Sequence, residues 1–214
     1  MKLLIVYDNE VFSRELDVKS DWGFSCLVDN GVEKILFDTG AKGDLLIWNL
    51  KQLGVDPSEI SKVVISHEHW DHNGGLGELS RFINGGEIYR LSREEIKGFS
   101  INVVEHPLEI ADGVYSTGRL HGVVDEQSLI LEGKEGWTIL VGCSHPGVDK
   151  ILSEARRRGE VVGLIGGMHG FKDFYLLEDL KIISPCHCTK YKRDISELYP
   201  EKTFRCGVGR IFEL

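Results

Sequence analysis

Three histidines and one aspartate lie within six consecutive residues, His67 to His72, and no other part of the sequence constrains the fold as strongly. The apolar, β-branched run at 62–65 before this motif predicts a buried strand. The Asn-Gly-Gly sequence after it predicts a turn into a helix. The motif therefore falls where a strand ends and a helix begins, a position at which loops on a rigid α/β scaffold often carry chemistry.

The spacing of these side chains is typical of metal binding. His67 and His69 are two residues apart, so in an extended segment both imidazoles point the same way and can bind one ion. Asp71 and His72 are adjacent where the chain turns, and they can reach a second ion. Imidazole and carboxylate ligands favour zinc, with manganese or iron as alternatives. The sequence thus predicts two divalent ions that activate water to hydroxide at neutral pH, the chemistry of a dinuclear metallohydrolase.

Further histidines follow other predicted strands. Apolar runs end in Gly or Pro and then His at His145, His169 and His187. In layered α/β folds, the strand ends at one edge of the sheet gather into one site. His145 is therefore the next candidate ligand, and His121, which precedes a predicted strand pair, is its rival.

The motif His67-x-His69-x-Asp71-His72, followed by Asn-Gly-Gly-Leu, resembles the signature of the metallo-β-lactamase superfamily. The resemblance implies an α/β (α+β) fold, a four-layer αββα sandwich with the metal site at one edge of its two sheets. It implies that Asp38 supports the metal loop without binding metal, and that His187 is the last ligand. The favoured arrangement places His67, His69 and His145 on one ion and Asp71, His72 and His187 on the other.

Three further segments narrow the resemblance to one branch of that superfamily. They are the Gly-Cys-Ser-His-Pro-Gly sequence at 142–147, the Gly-Gly-Met-His sequence at 166–169 and the Pro-Cys-His-Cys-Thr sequence at 185–189. Similar segments occur in the β-lactamase superfamily II hydrolases, which include archaeal dihydropterin–ribofuranosylaminobenzene phosphate synthases. One departure stands out: Gly142-Cys143 occupies the place of a Gly-Asp whose aspartate bridges the two metals. Cys143 or His145 replaces that bridge, or no protein group does, which leaves the number of metals open.

The function predicted from these features is hydrolysis of a small-molecule ester, amide or phosphoester by metal-activated hydroxide. Asp71 has a second predicted role in holding the proton of the hydroxide, and His169 is a candidate general acid or substrate clamp. Two alternatives stay open. The branch name implies a metal-dependent transferase that joins a pterin diphosphate to an arylamine, and the same fold can hold a di-iron redox site.

Length and composition define the setting of this chemistry. The 214 residues fit a single domain over 1–214. A net charge of −9 argues against a nucleic-acid partner, which requires a basic face. The N-terminal apolar run meets Asp8 and Glu10 too soon for a secretory signal, and no run is long enough to span a membrane. The five Cys, an odd count, indicate a reducing compartment, so the sequence predicts a cytoplasmic protein. The predicted partner is a small-molecule substrate, and a homo-oligomer stays open.

Overall fold

The chain folds into two units, each built on one β-sheet with helices. The computed structural model describes residues 1–83 and 85–214. The first unit comprises Met1–Glu105 and Cys206–Glu213, and the second comprises His106–Arg205 and Leu214. The predicted α/β fold class with two sheets is confirmed. The single-domain boundary stays a prediction.

The strands and helices are numbered in chain order. The strands are β1 (Lys2–Tyr7), β2 (Ser25–Asp29), β3 (Lys34–Phe37), β4 (Ile60–Val64), β5 (Gly86–Arg90), β6 (Phe99–Val103), β7 (Leu108–Ala111), β8 (Val114–Ser116), β9 (Leu129–Gly133), β10 (Gly136–Val141), β11 (Val161–Gly167), β12 (Ile182–Cys186) and β13 (Ile211–Glu213). The α-helices are α1 (Gly43–Gln52), α2 (Trp70–Asn73), α3 (Leu76–Leu79), α4 (Val148–Arg156) and α5 (Lys192–Leu198). Short 3₁₀ turns lie at Pro57–Glu59 and Phe174–Leu177.

The first unit carries a mixed sheet in the order β13-β1-β2-β3-β4-β5-β6. Its strands are antiparallel from β13 to β3 and parallel from β3 to β6. Helix α1 packs Leu46 and Leu50 into a core with β-strand residues such as Leu36 and Val63. Because β3, β4 and β5 are parallel, their carboxyl ends meet at one edge of this sheet. The segments after them carry Asp38 and the histidine motif, and Arg90 closes β5.

The second unit carries a sheet in the order β12-β11-β10-β9-β8-β7. Strands β10, β11 and β12 are parallel, and the rest are antiparallel. Helix α4 buries Ile151 and Leu152 in a core with Ile139 and Leu164. The carboxyl ends of the three parallel strands lead into the segments that carry His145, His169 and His187.

The sequence did not predict two of the strands, β6 and β7. The weakly patterned region 92–108 contains β6, and β7 begins at its end. The burial of β6 does not alternate clearly, because this strand lies at the edge of the sheet and is only half covered. Residues 203–206 form no strand, and an isolated bridge joins Ile183 to Thr203. In residues 1–83 and 85–214, no helix combines the length and apolar composition that crossing a membrane requires.

Asn49 ties the polar segment 8–21 to helix α1. Its Nδ2 donates to the carbonyl oxygens of Val6, at 3.0 Å, and of Lys19, at 2.8 Å. Its Oδ1 accepts from the Lys19 backbone N–H at 2.9 Å. Asn49 and Val6 are fully buried, so the bond between them satisfies polar groups that water does not reach, whereas the two bonds to Lys19 are part-buried.

We expect Asn49→Ala to lower the free energy of unfolding by about 1–3 kcal/mol, because buried backbone groups lose their partners. Urea denaturation followed by circular dichroism measures the change. Gln52→Ala, on the exposed face of the same helix, is the matched control and should change stability by less than about 0.5 kcal/mol. Equal effects of the two substitutions would contradict the structural role of Asn49.

Candidate metal centre

The loop after β4 brings the first two histidines of the motif together. The His67 Nε2 and His69 Nδ1 atoms are 3.1 Å apart. Two nitrogens that bind one ion at about 2.0–2.1 Å stand about 2.9–3.4 Å apart for bond angles of roughly 90–110°. The donor atoms are therefore already spaced for one ion. The rings of His67 and His72 are also close, with centroids 4.2 Å apart.

Asp38 supports this loop from the end of β3. Its Oδ1 accepts from the Ser66 backbone N–H at 2.7 Å. Its Oδ2 accepts from the Ser66 hydroxyl at 2.8 Å and contacts His72 Nδ1 at 2.7 Å. Asp38 is fully buried and occupies the supporting position expected from the sequence.

These contacts determine which ring nitrogens carry protons. A carboxylate only accepts, so His72 donates its Nδ1–H to Asp38 and presents Nε2 as the nitrogen with a lone pair. The Ser66 hydroxyl donates its one hydrogen to Asp38. Its oxygen therefore accepts from His67 Nδ1, which lies 2.8 Å away. His67 therefore also presents Nε2. In both imidazoles Nδ1 therefore carries the proton, and Nε2 is the nitrogen that can bind a metal.

Asp71 is oriented by a residue that the sequence analysis did not single out. Trp22 Nε1 donates to Asp71 Oδ2 at 2.8 Å, and the same oxygen lies 4.0 Å from His72 Nε2. Gly23 allows this approach, because a Cβ there would lie 2.6 Å from the Asp71 carbonyl oxygen. The tryptophan is distant in sequence, and nothing in its local pattern points to this contact.

A buried arginine holds the residue between the first two histidines. Arg90, which is 1% exposed, donates from Nε to Glu68 Oε1 at 3.0 Å and from Nη2 to Glu68 Oε2. Asn73 Nδ2 also donates to Glu68 Oε2, at 3.1 Å. Glu68 therefore links the start of the motif loop to its end and to β5. Arg90 is the last residue of β5, and the mixed sequence of that strand, Gly-Glu-Ile-Tyr-Arg, gave no clear sign of this contact.

In the second unit, one buried carboxylate shapes the loop after β10. Glu126 Oε1 accepts from the backbone N–H groups of Gly142, Cys143 and Ser144 at 2.9–3.1 Å. Its Oε2 accepts from the N–H of His145 at 2.9 Å. This carboxylate fixes the backbone that presents His145. A lone glutamate in an irregular segment gave no sequence signal for this role.

His145 and His169 meet within the second unit. Their ring centroids are 4.8 Å apart in an edge-to-face arrangement. His169 has a positive φ of 44° and accepts a bond at its carbonyl oxygen from the Lys190 N–H at 2.8 Å. His121, the rival of His145, has a side chain that is 79% exposed and contacts Asp125 at 3.1 Å. The choice of His145 over His121 as a ligand stays a prediction.

Cys143, His187 and Cys188 form a cluster in the second unit. One donor atom of each lies within 4.8 Å of the others, and the two sulphur atoms are 3.3 Å apart. The Cys143 thiol and, more weakly, His169 and His187 lower the pKa of Cys188 to about 4, although burial acts in the opposite direction.

Comparison with known proteins identifies the family. The family model for the metallo-β-lactamase superfamily matches residues 23–158. The chain belongs to the metallo-β-lactamase superfamily. Most members are metal-dependent enzymes, and the nitrogen, oxygen and sulphur donors described above suit divalent metals.

Similar proteins support this assignment over the whole chain. A 7,8-dihydropterin-6-methyl-4-(β-D-ribofuranosyl)-aminobenzene-5′-phosphate synthase of Methanocaldococcus jannaschii is 24% identical, with 91% of this chain and 90% of that protein covered. The structure of Tm1679, described as a metal-dependent hydrolase of the β-lactamase superfamily, has a TM-score of 0.80, 24% identity and coverage of 100% and 99%. Zinc-bound PqqB of Methylobacterium extorquens has a TM-score of 0.66, 12% identity and coverage of 100% of both chains.

We expect Asp38→Asn to raise the dissociation constant for zinc by about 10–100-fold, the usual cost of removing a carboxylate that orients a ligand histidine. Competition with a chromogenic chelator measures the constant. Asp44→Asn, an exposed change at the start of α1, is the control and should leave it unchanged. Unaltered zinc affinity in a folded Asp38→Asn protein would show that Asp38 does not orient a ligand.

Arg90 and Glu68 should be energetically coupled. We expect Arg90→Gln and Glu68→Gln each to lower stability, and the double variant to lose at least about 1 kcal/mol less than the sum of the two. Urea denaturation of the four proteins gives this coupling energy. Strictly additive losses would mean that the bidentate contact contributes nothing to holding the loop.

Proposed function

We propose that this protein is a metal-dependent hydrolase that cleaves an ester, amide or phosphoester bond in a small molecule. One observation carries the proposal: His67 Nε2 and His69 Nδ1 stand 3.1 Å apart. In addition, the contacts of Ser66 and Asp38 with Nδ1 of His67 and His72 make Nε2 the nitrogen with a lone pair in both rings. The proposed ligands are the six predicted from the sequence: His67, His69, Asp71, His72, His145 and His187.

The proposed cofactor is a pair of divalent ions, with zinc favoured. Such ions lower the pKa of bound water to about 7 and polarise the bond under attack. The division of the six ligands between the two ions, three for each, is proposed from the superfamily pattern.

The protein's own side chains have distinct proposed roles. Asp71, whose Oδ2 accepts from Trp22, has the proposed role of holding a proton of the attacking water. His169, edge-to-face with His145, is the proposed general acid or substrate clamp. The Lys190 N–H donates to the His169 carbonyl oxygen, which holds the backbone that carries this ring.

The charge of the chain supports a small molecule over a polymer as substrate. At −9, the protein has no overall attraction for nucleic acid. A cytoplasmic location is part of the same proposal and rests on the sequence alone.

A second candidate function is supported by the relative from Methanocaldococcus jannaschii, whose name describes a synthase and which is covered over 90% of its length. Under this alternative, the metal centre would bind the diphosphate of a pterin while an arylamine displaces it. The donors would be the same, and the acceptor of the transferred group would be an amine in place of water.

The experiment is metal analysis of protein purified without added metal, together with a screen of nitrophenyl esters and phosphodiesters. We expect about two equivalents of zinc and hydrolytic turnover. His145→Ala should lower the metal content, whereas His121→Ala, the matched control at an exposed histidine, should not. His169→Ala should keep the metal and lower kcat by about 10²–10⁴-fold.

Other outcomes would overturn specific parts of the proposal. One equivalent or less, unchanged in His145→Ala, would remove His145 from the ligand set. Iron with a visible charge-transfer band and no hydrolysis would favour the di-iron redox function. Condensation of a pterin diphosphate with an arylamine, without hydrolysis of any ester, would favour the transferase.

A further inference from the structure

Two cysteine sulphurs and a histidine lie together in the second unit, at the carboxyl ends of two parallel strands. Cys143 follows β10, while His187 and Cys188 follow β12. The sulphur atoms are 3.3 Å apart, and a ligating nitrogen of His187 lies within 4.8 Å of both. Cys143 and His187 are buried, and Cys188 is half-buried, so the cluster is largely shielded from water.

The surrounding backbone is built to bring these atoms together. The N–H of Cys143 is fixed by Glu126 at 2.9 Å. Gly167 leaves room for the second sulphur, because a Cβ at this position would lie 2.7 Å from Cys188 Sγ and 2.3 Å from the Gly142 carbonyl oxygen. His187 has a positive φ of 44°, an uncommon conformation for a residue with a side chain. Strain of this kind persists where the surrounding structure enforces it, and it clusters at functional sites.

We propose that Cys143 and Cys188 are thiolate ligands of the metal ion bound by His187. The inference rests on the proposed function only in assuming that His187 binds a metal. It goes further by adding two sulphur donors to the six predicted ligands and by naming the class of ion. Cys143 stands where the superfamily pattern has its bridging aspartate, so a sulphur takes the place of an oxygen.

The exchange of an oxygen donor for sulphur changes which metal ions the site prefers. Thiolates favour zinc, and its analogues cobalt and cadmium, whereas carboxylate oxygens suit manganese and magnesium. The set of two sulphurs and one imidazole therefore selects a thiophilic divalent ion. Binding deprotonates each thiol that still carries its proton, and those protons pass to the solvent.

The first test is cobalt titration of the reduced, metal-free full chain. We expect sulphur-to-cobalt charge-transfer absorption in the near ultraviolet. Cys143→Ser and Cys188→Ser should each lower this absorption by about half and raise the dissociation constant for zinc by at least about tenfold, since a ligand matters no less than its outer partners. Cys26→Ser, which alters a buried thiol on β2, is the matched control and should change neither quantity.

A second test uses the wild-type chain and so does not depend on the folding of a variant. Alkylation with iodoacetamide, followed by peptide mass spectrometry, should modify Cys188 in metal-free protein and at least about tenfold more slowly once zinc is bound. Equal rates with and without zinc would overturn the proposal. A disulfide between Cys143 and Cys188 in zinc-loaded protein would also overturn it.

Failure of this inference can be told apart from failure of the proposed function. Zinc bound near two equivalents, with no sulphur-to-cobalt absorption after exchange, would overturn the thiolate ligands and leave the hydrolase intact. Absorption that depends on both cysteines, in a protein that hydrolyses nothing, would support the thiolate ligands and count against the hydrolase. A chain that binds no divalent metal would overturn both.

Discussion

The buried Asp38 carboxylate is the interaction on which the first group of candidate ligands depends. Register places it correctly: Phe37 on β3 pairs with Val64 on the parallel strand β4, so the residues after them emerge side by side. The N–H of Asp38 then donates to the Val64 carbonyl oxygen at 2.8 Å. From there, its two oxygens reach Ser66 and His72. A single side chain thus sets the path of the loop and the proton positions of its imidazoles.

The second unit uses the same physical device with a different residue. Glu126 accepts four backbone N–H groups and so holds the 142–145 loop in a shape that has no regular hydrogen bonding of its own. In both units, a buried carboxylate accepts hydrogen bonds from several donors. Buried charges require such compensation, so each carboxylate and its loop specify one another.

Backbone strain is concentrated in these loops. Among the residues that the structure describes, the non-glycine positions with positive φ are Asp38, Ser144, His169 and His187. Each lies just after a strand of a parallel pair, and each costs of the order of 1–3 kcal/mol. A fold tolerates such positions when neighbouring contacts over-determine them. These strained positions lie after strands and not in helices, and backbone strain of this kind clusters at functional sites.

The sequence was sufficient to predict local features of the fold, but it was not sufficient to predict contacts between residues that are distant in sequence. The histidine motif and the strand that precedes it follow from a dense local pattern of residues. Strand β6 could not be predicted, because an edge strand has no clear alternation of buried and exposed residues. Trp22, Arg90 and Glu126 act on residues 16–49 positions away, and no local pattern encodes such a partner. The ligand set itself stays a prediction.

The cysteine at position 143 shows why a departure from a family pattern can be informative. An aspartate there would place an anionic oxygen at the end of β10, and its replacement by alanine or leucine would simply remove a donor. Cysteine keeps an anionic donor but exchanges a hard atom for a soft one, and a second sulphur stands 3.3 Å away. Gly167 lacks the Cβ that would lie 2.7 Å from Cys188 Sγ, so the backbone leaves room for both sulphurs to act as the proposed thiolate ligands.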